Sequence, residues 1–117
     1  MKKILLSLML LGGSMAIYAQ SHPSFPGGDE ALKKYVAENV KYPAIAQENG
    51  VEGIVVIGFL VNTDGNLSQF KVERFVDPDL ENEALRVVKG MPAWIPAEKD
   101  GTPIESPWKV EIPFILE

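Results

Sequence analysis

The chain has 117 residues, of which 46% are hydrophobic, with no cysteine and a formal net charge of −5 at pH 7. This length suits one domain, and the hydrophobic content allows it a small core. Without cysteine there are no disulfides, no thiol catalysis and no thiolate metal sites. The acidic balance argues against nucleic acid and anionic lipid as partners, because both bind basic surfaces.

Residues 1–19 are predicted to be a signal peptide. Lys2 and Lys3 precede an apolar run over residues 4–11, and Ala19 provides a cleavage site before Gln20. A retained membrane anchor is the alternative. As a helix, residues 4–19 would span roughly 24 Å, short of the hydrocarbon core of about 30 Å. We therefore expect export and cleavage, a flexible lead-in over residues 20–27, and one domain over residues 28–117.

Three helices are predicted. Apolar residues spaced by three and four indicate an amphipathic helix that begins near Asp29 and ends before the Tyr-Pro pair at 42–43. A short helix follows and ends at Gly50. The third begins at Asp77, the N-cap residue, with Pro78 in its first turn. Its apolar stripe consists of Leu80, Ala84, Val87, Val88 and Met91.

Three long strands are predicted as well. Residues 51–61 and 67–76 form a hairpin, since Asp64 and Gly65 supply a tight turn. A second turn near residues 98–103 leads to a last strand in which Trp108, Val110, Ile112, Phe114 and Leu116 share one face. The order of elements predicts an α+β domain, a three-stranded antiparallel sheet with two main helices packed on one face.

The sequence offers no set of catalytic residues. His22 has no partner for metal binding or proton transfer and is expected to be solvated. The acidic residues Asp77, Asp79, Glu81 and Glu83 lack EF-hand spacing, so capping and the helix dipole explain them better than calcium does. No phosphate loop or nucleophile elbow is present. We expect no enzyme activity, cofactor, metal or small-molecule substrate.

Two surfaces are candidates for protein binding. The last strand should leave an open edge that an extended peptide can complete, and Pro107 and Pro113 suit an edge position. Those prolines could equally serve only to prevent edge-to-edge aggregation. The apolar residues on the solvent side of the sheet have two interpretations: ordinary scattered exposure, or a self-association face for a homodimer. The residues of that candidate face are Ile54, Val56 and Leu60, with Phe75 and Ile115 expected nearby.

From about Phe25 onward, the chain resembles the C-terminal domain of the TonB family, in its Bacteroidetes-type form. The resemblance rests on a Tyr-Pro, an Asp-Gly and a Trp-x-Pro motif in this order, together with intervening small and apolar positions. The matching residues are Tyr42, Pro43, Ala46, Gly50, Gly53, Val55, Phe59, Val61, Asp64, Gly65, Leu80, Ala84, Leu85, Val88, Trp94, Pro96, Ala97, Gly101, Pro103, Ile112 and Pro113.

The resemblance implies a periplasmic domain that takes part in TonB-dependent transport. Its implied partner is the TonB box, an extended N-terminal segment of outer-membrane receptors, which pairs with the last strand. The implied contacts on that strand are Trp108, Lys109, Val110, Glu111, Ile112, Pro113 and Phe114. A second implied group, near the receptor plug, contains Asn39, Tyr42 and Pro43. Trp94, held between Pro92 and Pro96, is expected to anchor the corner that directs the last strand.

The sequence also departs from the family. Family members have an uncleaved membrane helix and a long Pro-rich spacer, whereas only residues 20–24 separate the apolar segment from the domain here. Five residues reach at most about 18 Å. We therefore expect peptide binding without energy transduction by this chain alone. An inner-membrane anchor facing the periplasm is the alternative location.

Overall fold

The computed structural model describes residues 21–117, so the predicted signal peptide lies outside the described residues. Two main helices, α1 (Asp29–Asn39) and α3 (Pro78–Lys89), flank a short helix, α2 (Ala44–Glu48). The long strands are β1 (Gly53–Val61), β2 (Leu67–Arg74) and β5 (Ser106–Phe114). Between α3 and β5 lies a small hairpin, β3 (Ala97–Lys99) and β4 (Thr102–Ile104), which the sequence predicted only as a turn. The α+β fold class is confirmed.

The long strands form an antiparallel sheet in the order β2-β1-β5. Pairing between β1 and β5 is uninterrupted, from Gly53 opposite Phe114 to Val61 opposite Ser106. The β1–β2 pairing has two register shifts, and β2 ends two residues earlier than predicted. Within residues 21–117, no strand pairs with the outer edge of β5.

One face of β1 forms the centre of the core. Its side chains alternate, and Val55, Ile57, Phe59 and Val61 are almost fully buried. They belong to one cluster with apolar residues of the two main helices, among them Val36, Leu80, Ala84 and Val88. β1 is therefore the central strand of the sheet, buried on its helix-facing side and paired with β2 on one edge and β5 on the other.

The start of α3 is the predicted one. The Asp77 carboxylate accepts hydrogen bonds from the backbone N–H groups of Asp79 at 3.0 Å and Leu80 at 3.3 Å, and Pro78 occupies the first turn. These bonds satisfy two of the amide donors that a helix leaves free at its N-terminus. The predicted apolar stripe is buried, apart from the partly exposed Met91.

Residues 21–27, expected to form a flexible lead-in, are packed against the domain. Pro23 is fully buried and Phe25 is only 6% exposed. Ser24 exchanges two backbone hydrogen bonds with Ile95, of 3.0 and 2.8 Å. The domain therefore begins before residue 28, because the core needs the Phe25 ring and the segment pairs with residues far along the chain.

Trp94 joins three parts of the fold. Its ring is 3% exposed and meets Phe25 and Phe59 edge-on, with centroid distances of 5.8 and 5.3 Å. Its backbone N–H donates to the carbonyl oxygen of Gly65, in the β1–β2 turn, at 2.9 Å. Trp94 therefore fixes the lead-in and the first hairpin against the corner from which the chain returns to form β5.

Candidate partner-binding edge

Strand β5 combines a buried face with an open edge. Val110, Ile112 and Phe114 point into the core and are at most 6% exposed, as the alternation predicted. Trp108 was expected on the same face, yet its side chain is 39% exposed. It pairs with Phe59 near the start of β5 and lines the groove beside that strand.

A groove runs between α1 and the open edge of β5. It has a volume of about 710 Å³ and combines an apolar floor with charged groups from both elements. Its lining residues are Asp29, Leu32, Lys33, Val36, Ala37, Val40, Trp108, Lys109, Val110, Glu111 and Pro113. Such a groove can hold the side chains of a strand added at the edge.

A second, smaller groove lies on the other face of the sheet. Its volume is about 560 Å³, and its lining residues are Val56, Glu73, Pro107, Trp108, Lys109 and Glu111. Trp108 lines both grooves, as do Lys109 and Glu111. At 39% exposure it is the most exposed aromatic side chain of β5.

The ring of His22 stacks on Trp108, with a centroid distance of 5.0 Å and an interplanar angle of 9°. His22 is exposed, as expected, but it is not isolated in the solvent. Its Nδ1 lies 3.0 Å from the carbonyl oxygen of Pro23, which is buried. The contact could not be predicted from local sequence, because the two residues are 86 positions apart in the chain.

The second implied group of contacts is adjacent to β5. Tyr42 packs edge-on against Phe114, at a centroid distance of 5.6 Å, and its hydroxyl donates to the carbonyl oxygen of Val51. Burial raises the pKa of Tyr42, and the nearby Glu52 carboxylate adds to this rise. Pro43 follows directly, and Asn39 ends α1 with its side-chain amide donating to the Tyr35 carbonyl oxygen at 2.8 Å.

An acidic residue of α3 holds that group in place. The Glu83 carboxylate accepts from the backbone N–H of Lys41 at 2.6 Å and from the Arg86 guanidinium at 2.7 Å. The same guanidinium donates to the carbonyl oxygen of Asn39 at 2.8 Å. The hydrogen bond from Arg86, with the contact to Lys41, lowers the pKa of Glu83. Glu83 therefore connects α3 to the end of α1, rather than complementing the helix dipole as predicted.

The sequence predicts the Glu83–Arg86 pair but not its contacts with the end of α1. Glu83 and Arg86 are three positions apart on a helix, which is the spacing of an ion pair on one face. Their contacts with Asn39 and Lys41 depend on how α1 and α3 pack, and this packing cannot be predicted from a local sequence pattern.

The candidate self-association face exposes little apolar surface. Val56 is 9% exposed, and Ile54 and Leu60 are half-buried. The most exposed large apolar side chains in residues 21–117 are those of Phe75, Ile115, Ile45 and Ile95. Phe75 and Ile115, expected near the face, are each about two-thirds exposed.

The described residues also bear on metal binding and membrane insertion. Over residues 21–117, no three His, Cys, Asp or Glu side chains are grouped so that they could hold a metal ion. In the same range, none of the helices is long and apolar enough to cross a membrane.

Comparison with known proteins identifies relatives of this domain. A family model described as "Gram-negative bacterial TonB protein C-terminal" matches residues 38–116. Protein TonB of Helicobacter pylori strain 26695 is 29% identical over 77 residues, which are 65% of this chain and 27% of that protein. Protein TonB of strain J99 is 32% identical over 59 residues, which are 50% of this chain and 21% of that protein. The chain thus spans about a quarter of the length of these relatives.

Solved structures agree on the fold. Two solution structures of the Helicobacter pylori TonB C-terminal domain, which differ in length, match with TM-scores of 0.56 and 0.55 at 23% identity. The matches cover 74% and 73% of this chain, and 78% and 89% of the solved chains.

Proposed function

The chain belongs to the family of Gram-negative bacterial TonB C-terminal domains, and from this premise we propose that it binds the TonB box of outer-membrane receptors. The TonB box joins β5 as a fourth strand, and the domain thereby takes part in TonB-dependent transport. It acts as a binding module in the periplasm, after cleavage of residues 1–19. The observation that carries this proposal is the open edge of β5 beside an apolar groove.

The edge supplies the backbone part of recognition. β5 is nine residues long, and its inner side is fully paired with β1, so an added strand extends an existing sheet. Main-chain hydrogen bonds then give affinity that depends little on the partner's sequence. The groove between α1 and β5 supplies selectivity, because alternate side chains of the added strand reach Leu32, Val36 and Val40.

The group formed by Asn39, Tyr42 and Pro43 extends the contact beyond the strand. Tyr42 touches Phe114, the last residue of β5, so a receptor paired with β5 also approaches this group. The bonds from Glu83 and Arg86 keep the group rigid before binding. A rigid surface loses little conformational entropy when its partner arrives.

NMR titration tests this proposal. A peptide with the sequence of a receptor's TonB box should shift the amide signals of β5 and α1, and a scrambled peptide of the same composition, whose side chains fit the groove less well, should shift them much less at equal concentration. The β2 edge, on the far side of the sheet, serves as an internal control. Shifts confined to β2 or to the β3–β4 hairpin would contradict the proposed site.

A second copy of this chain is the alternative partner for the edge. In an antiparallel pair of two copies centred on Val110, Lys109 of one copy would face Glu111 of the other. The opposite charges of these residues would favour the pairing. A mass that rises with concentration in sedimentation equilibrium, without peptide, would favour this alternative. A constant monomer mass would exclude it.

The location is tested separately by the intact mass of the native protein and its fractionation. A chain that begins at Gln20 and leaves the cell with the periplasmic contents would agree with the proposal. A full-length chain in the inner membrane would favour the anchored alternative.

A further inference from the structure

Two prolines determine which way each amide of β5 points. Pro107 pairs with Leu60 and Pro113 pairs with Ile54 in an unbroken antiparallel ladder. Residue pairs in such a ladder alternate between those that exchange hydrogen bonds and those that do not. A proline has no N–H to donate, so both prolines occupy positions that do not bond to β1. Six positions separate them, which is an even number and therefore consistent with the alternation.

The same alternation assigns the amides between the prolines. Val110 and Ile112 donate towards β1, as do the other even-numbered residues of the strand. The N–H groups of Lys109 and Glu111 point away from the sheet. Over Pro107 to Pro113, the outer edge of β5 therefore has two backbone donors, with a proline on either side of them.

We propose that the outer edge of β5 pairs with a partner strand through only two backbone donors, the N–H groups of Lys109 and Glu111. Pro107 and Pro113 have no N–H to donate, so they limit this pairing window at both ends. This inference rests on the proposed function, and it adds which amides bind and how long the paired segment is. A partner strand pairs over about five residues, opposite 108–112, and gains no further donor from β5 when it is longer. The prolines also keep two sheets from joining edge to edge over the full strand.

The window also determines how the partner's side chains are directed. Residues that face each other across a sheet have side chains on the same face. The Val110 side chain lies on the helix side and is 6% exposed. The partner residue opposite Val110 therefore points into the groove beside α1, towards Val36 and Val40. Its two neighbours, opposite Lys109 and Glu111, face the solvent side.

The partner is thus a short extended peptide with a particular pattern. An apolar residue lies between two solvent-facing residues, and further apolar residues follow on the outside, opposite Trp108 and Ile112. The side chains of Lys109 and Glu111 are exposed and opposite in charge, so they favour complementary charges on the solvent-facing pair.

Substitution by proline tests the assignment of the donors. Lys109→Pro removes an outward N–H and leaves the β1 ladder intact, as the native prolines at 107 and 113 already do. Lys109→Ala removes the side chain and keeps the N–H, so it is the matched control. The probe is a capped heptapeptide, Ser-Val-Thr-Val-Thr-Val-Ser, titrated by calorimetry beside a TonB-box peptide.

The expected result is a folded Lys109→Pro variant whose Kd for both peptides rises about fivefold or more, the effect of one lost hydrogen bond. Lys109→Ala should change the Kd less than about threefold. Equal binding by wild type and Lys109→Pro would overturn the window and leave the proposed function standing. Val110→Pro should instead unfold the domain, because it removes a donor to β1; a folded Val110→Pro variant would also overturn the assignment.

The double variant Pro107→Ala with Pro113→Ala tests, without any peptide, whether the two prolines limit pairing along the β5 edge. It restores two outward donors and should associate with itself at concentrations at which wild type stays monomeric. An unchanged mass would overturn the role of the prolines. Because this measurement needs no receptor segment, it separates failure of the window from failure of the proposed function.

Discussion

The carbonyl oxygen of Trp94 occupies the place where a side chain at Gly65 would begin. Gly65 has a φ of +90°, and a Cβ built there would lie 2.1 Å from that oxygen. The Gly65 carbonyl oxygen also accepts the Trp94 N–H at 2.9 Å. Gly65 is thus required both by the turn and by the contact that fixes the hairpin to the tryptophan corner.

Gly65→Ala should therefore cost more than the turn alone explains. An alanine at positive φ costs roughly 1 kcal/mol, and the clash with Trp94 adds to this. Gly101→Ala is the matched control, because Gly101 has a φ of +82° and no atom within 4 Å of its built Cβ. In urea unfolding, Gly65→Ala should lose clearly more stability than Gly101→Ala. Equal losses would show that the Trp94 carbonyl oxygen adds nothing to the cost of a side chain at position 65.

Truncation of Trp94 should destabilise the domain strongly. Its ring is buried and packs against Phe25 and Phe59, so Trp94→Ala should cost about 3–5 kcal/mol. Trp94→Phe should cost less, because an aromatic ring remains and the indole N–H has no hydrogen-bond partner among residues 21–117. Thermal unfolding of both variants measures the difference. A Trp94→Ala variant as stable as wild type would contradict the anchoring role.

The stabilising effect of Glu83 should depend on pH. Its pKa is lowered in the folded protein, chiefly by the hydrogen bond from Arg86, so folding favours the charged carboxylate. The contribution is complete above the ordinary pKa of 4.5 and is lost as the pH falls through the lowered pKa of Glu83. Glu83→Gln should cost about 1–2 kcal/mol at pH 7 and progressively less below pH 4.5.

The matched control for Glu83 is Glu38→Gln. Glu38 lies 3.9 Å from Lys34 on the exposed surface of α1, and such pairs contribute little. Its unfolding free energy should stay within about 0.5 kcal/mol of wild type between pH 4 and 7. A Glu83→Gln effect that stayed constant with pH would contradict the assigned charge state.

Trp108 should matter for binding and little for folding. It is exposed and lines both grooves, and among residues 21–117 its ring stacks only on the exposed ring of His22. Trp108→Ala should weaken binding of a TonB-box peptide about tenfold and lower the unfolding free energy by less than about 1 kcal/mol. Ile45→Ala, at an exposed residue of α2 outside both grooves, should leave the affinity unchanged. Equal affinities of Trp108→Ala and wild type would show that Trp108 does not contribute to peptide binding.

Much of the fold could be predicted because its signals are local. The Asp77 cap, the apolar stripe of α3 and the Asp64-Gly65 turn each depend on residues close in sequence, and each was found where expected. Strand β5 was predicted two residues late, since Ser106 and Pro107 carry no apolar alternation although both pair with β1. Its open edge was also expected, because the last strand adds beside the first hairpin, and its two prolines suit an edge position.

The remaining features depend on packing between distant segments. A lead-in rich in proline and glycine is typical of flexible chain, yet Phe25 fills a gap beside Trp94. Glu83 was attributed to the helix dipole, because the sequence does not show that the backbone N–H of Lys41, just after α1, donates to its carboxylate. Val56 lies on the predicted solvent face but is only 9% exposed, so alternation gave its direction and not its exposure.

Hydrogen exchange at single amides of β5, with and without a TonB-box peptide, tests the central claim most directly. In the free domain, Val110 and Ile112 should exchange slowly and Lys109 and Glu111 quickly. On addition of the peptide, Lys109 and Glu111 should become protected, while Val110 and Ile112 change little. A peptide that binds and leaves Lys109 and Glu111 exchanging as fast as before would contradict strand addition at this edge.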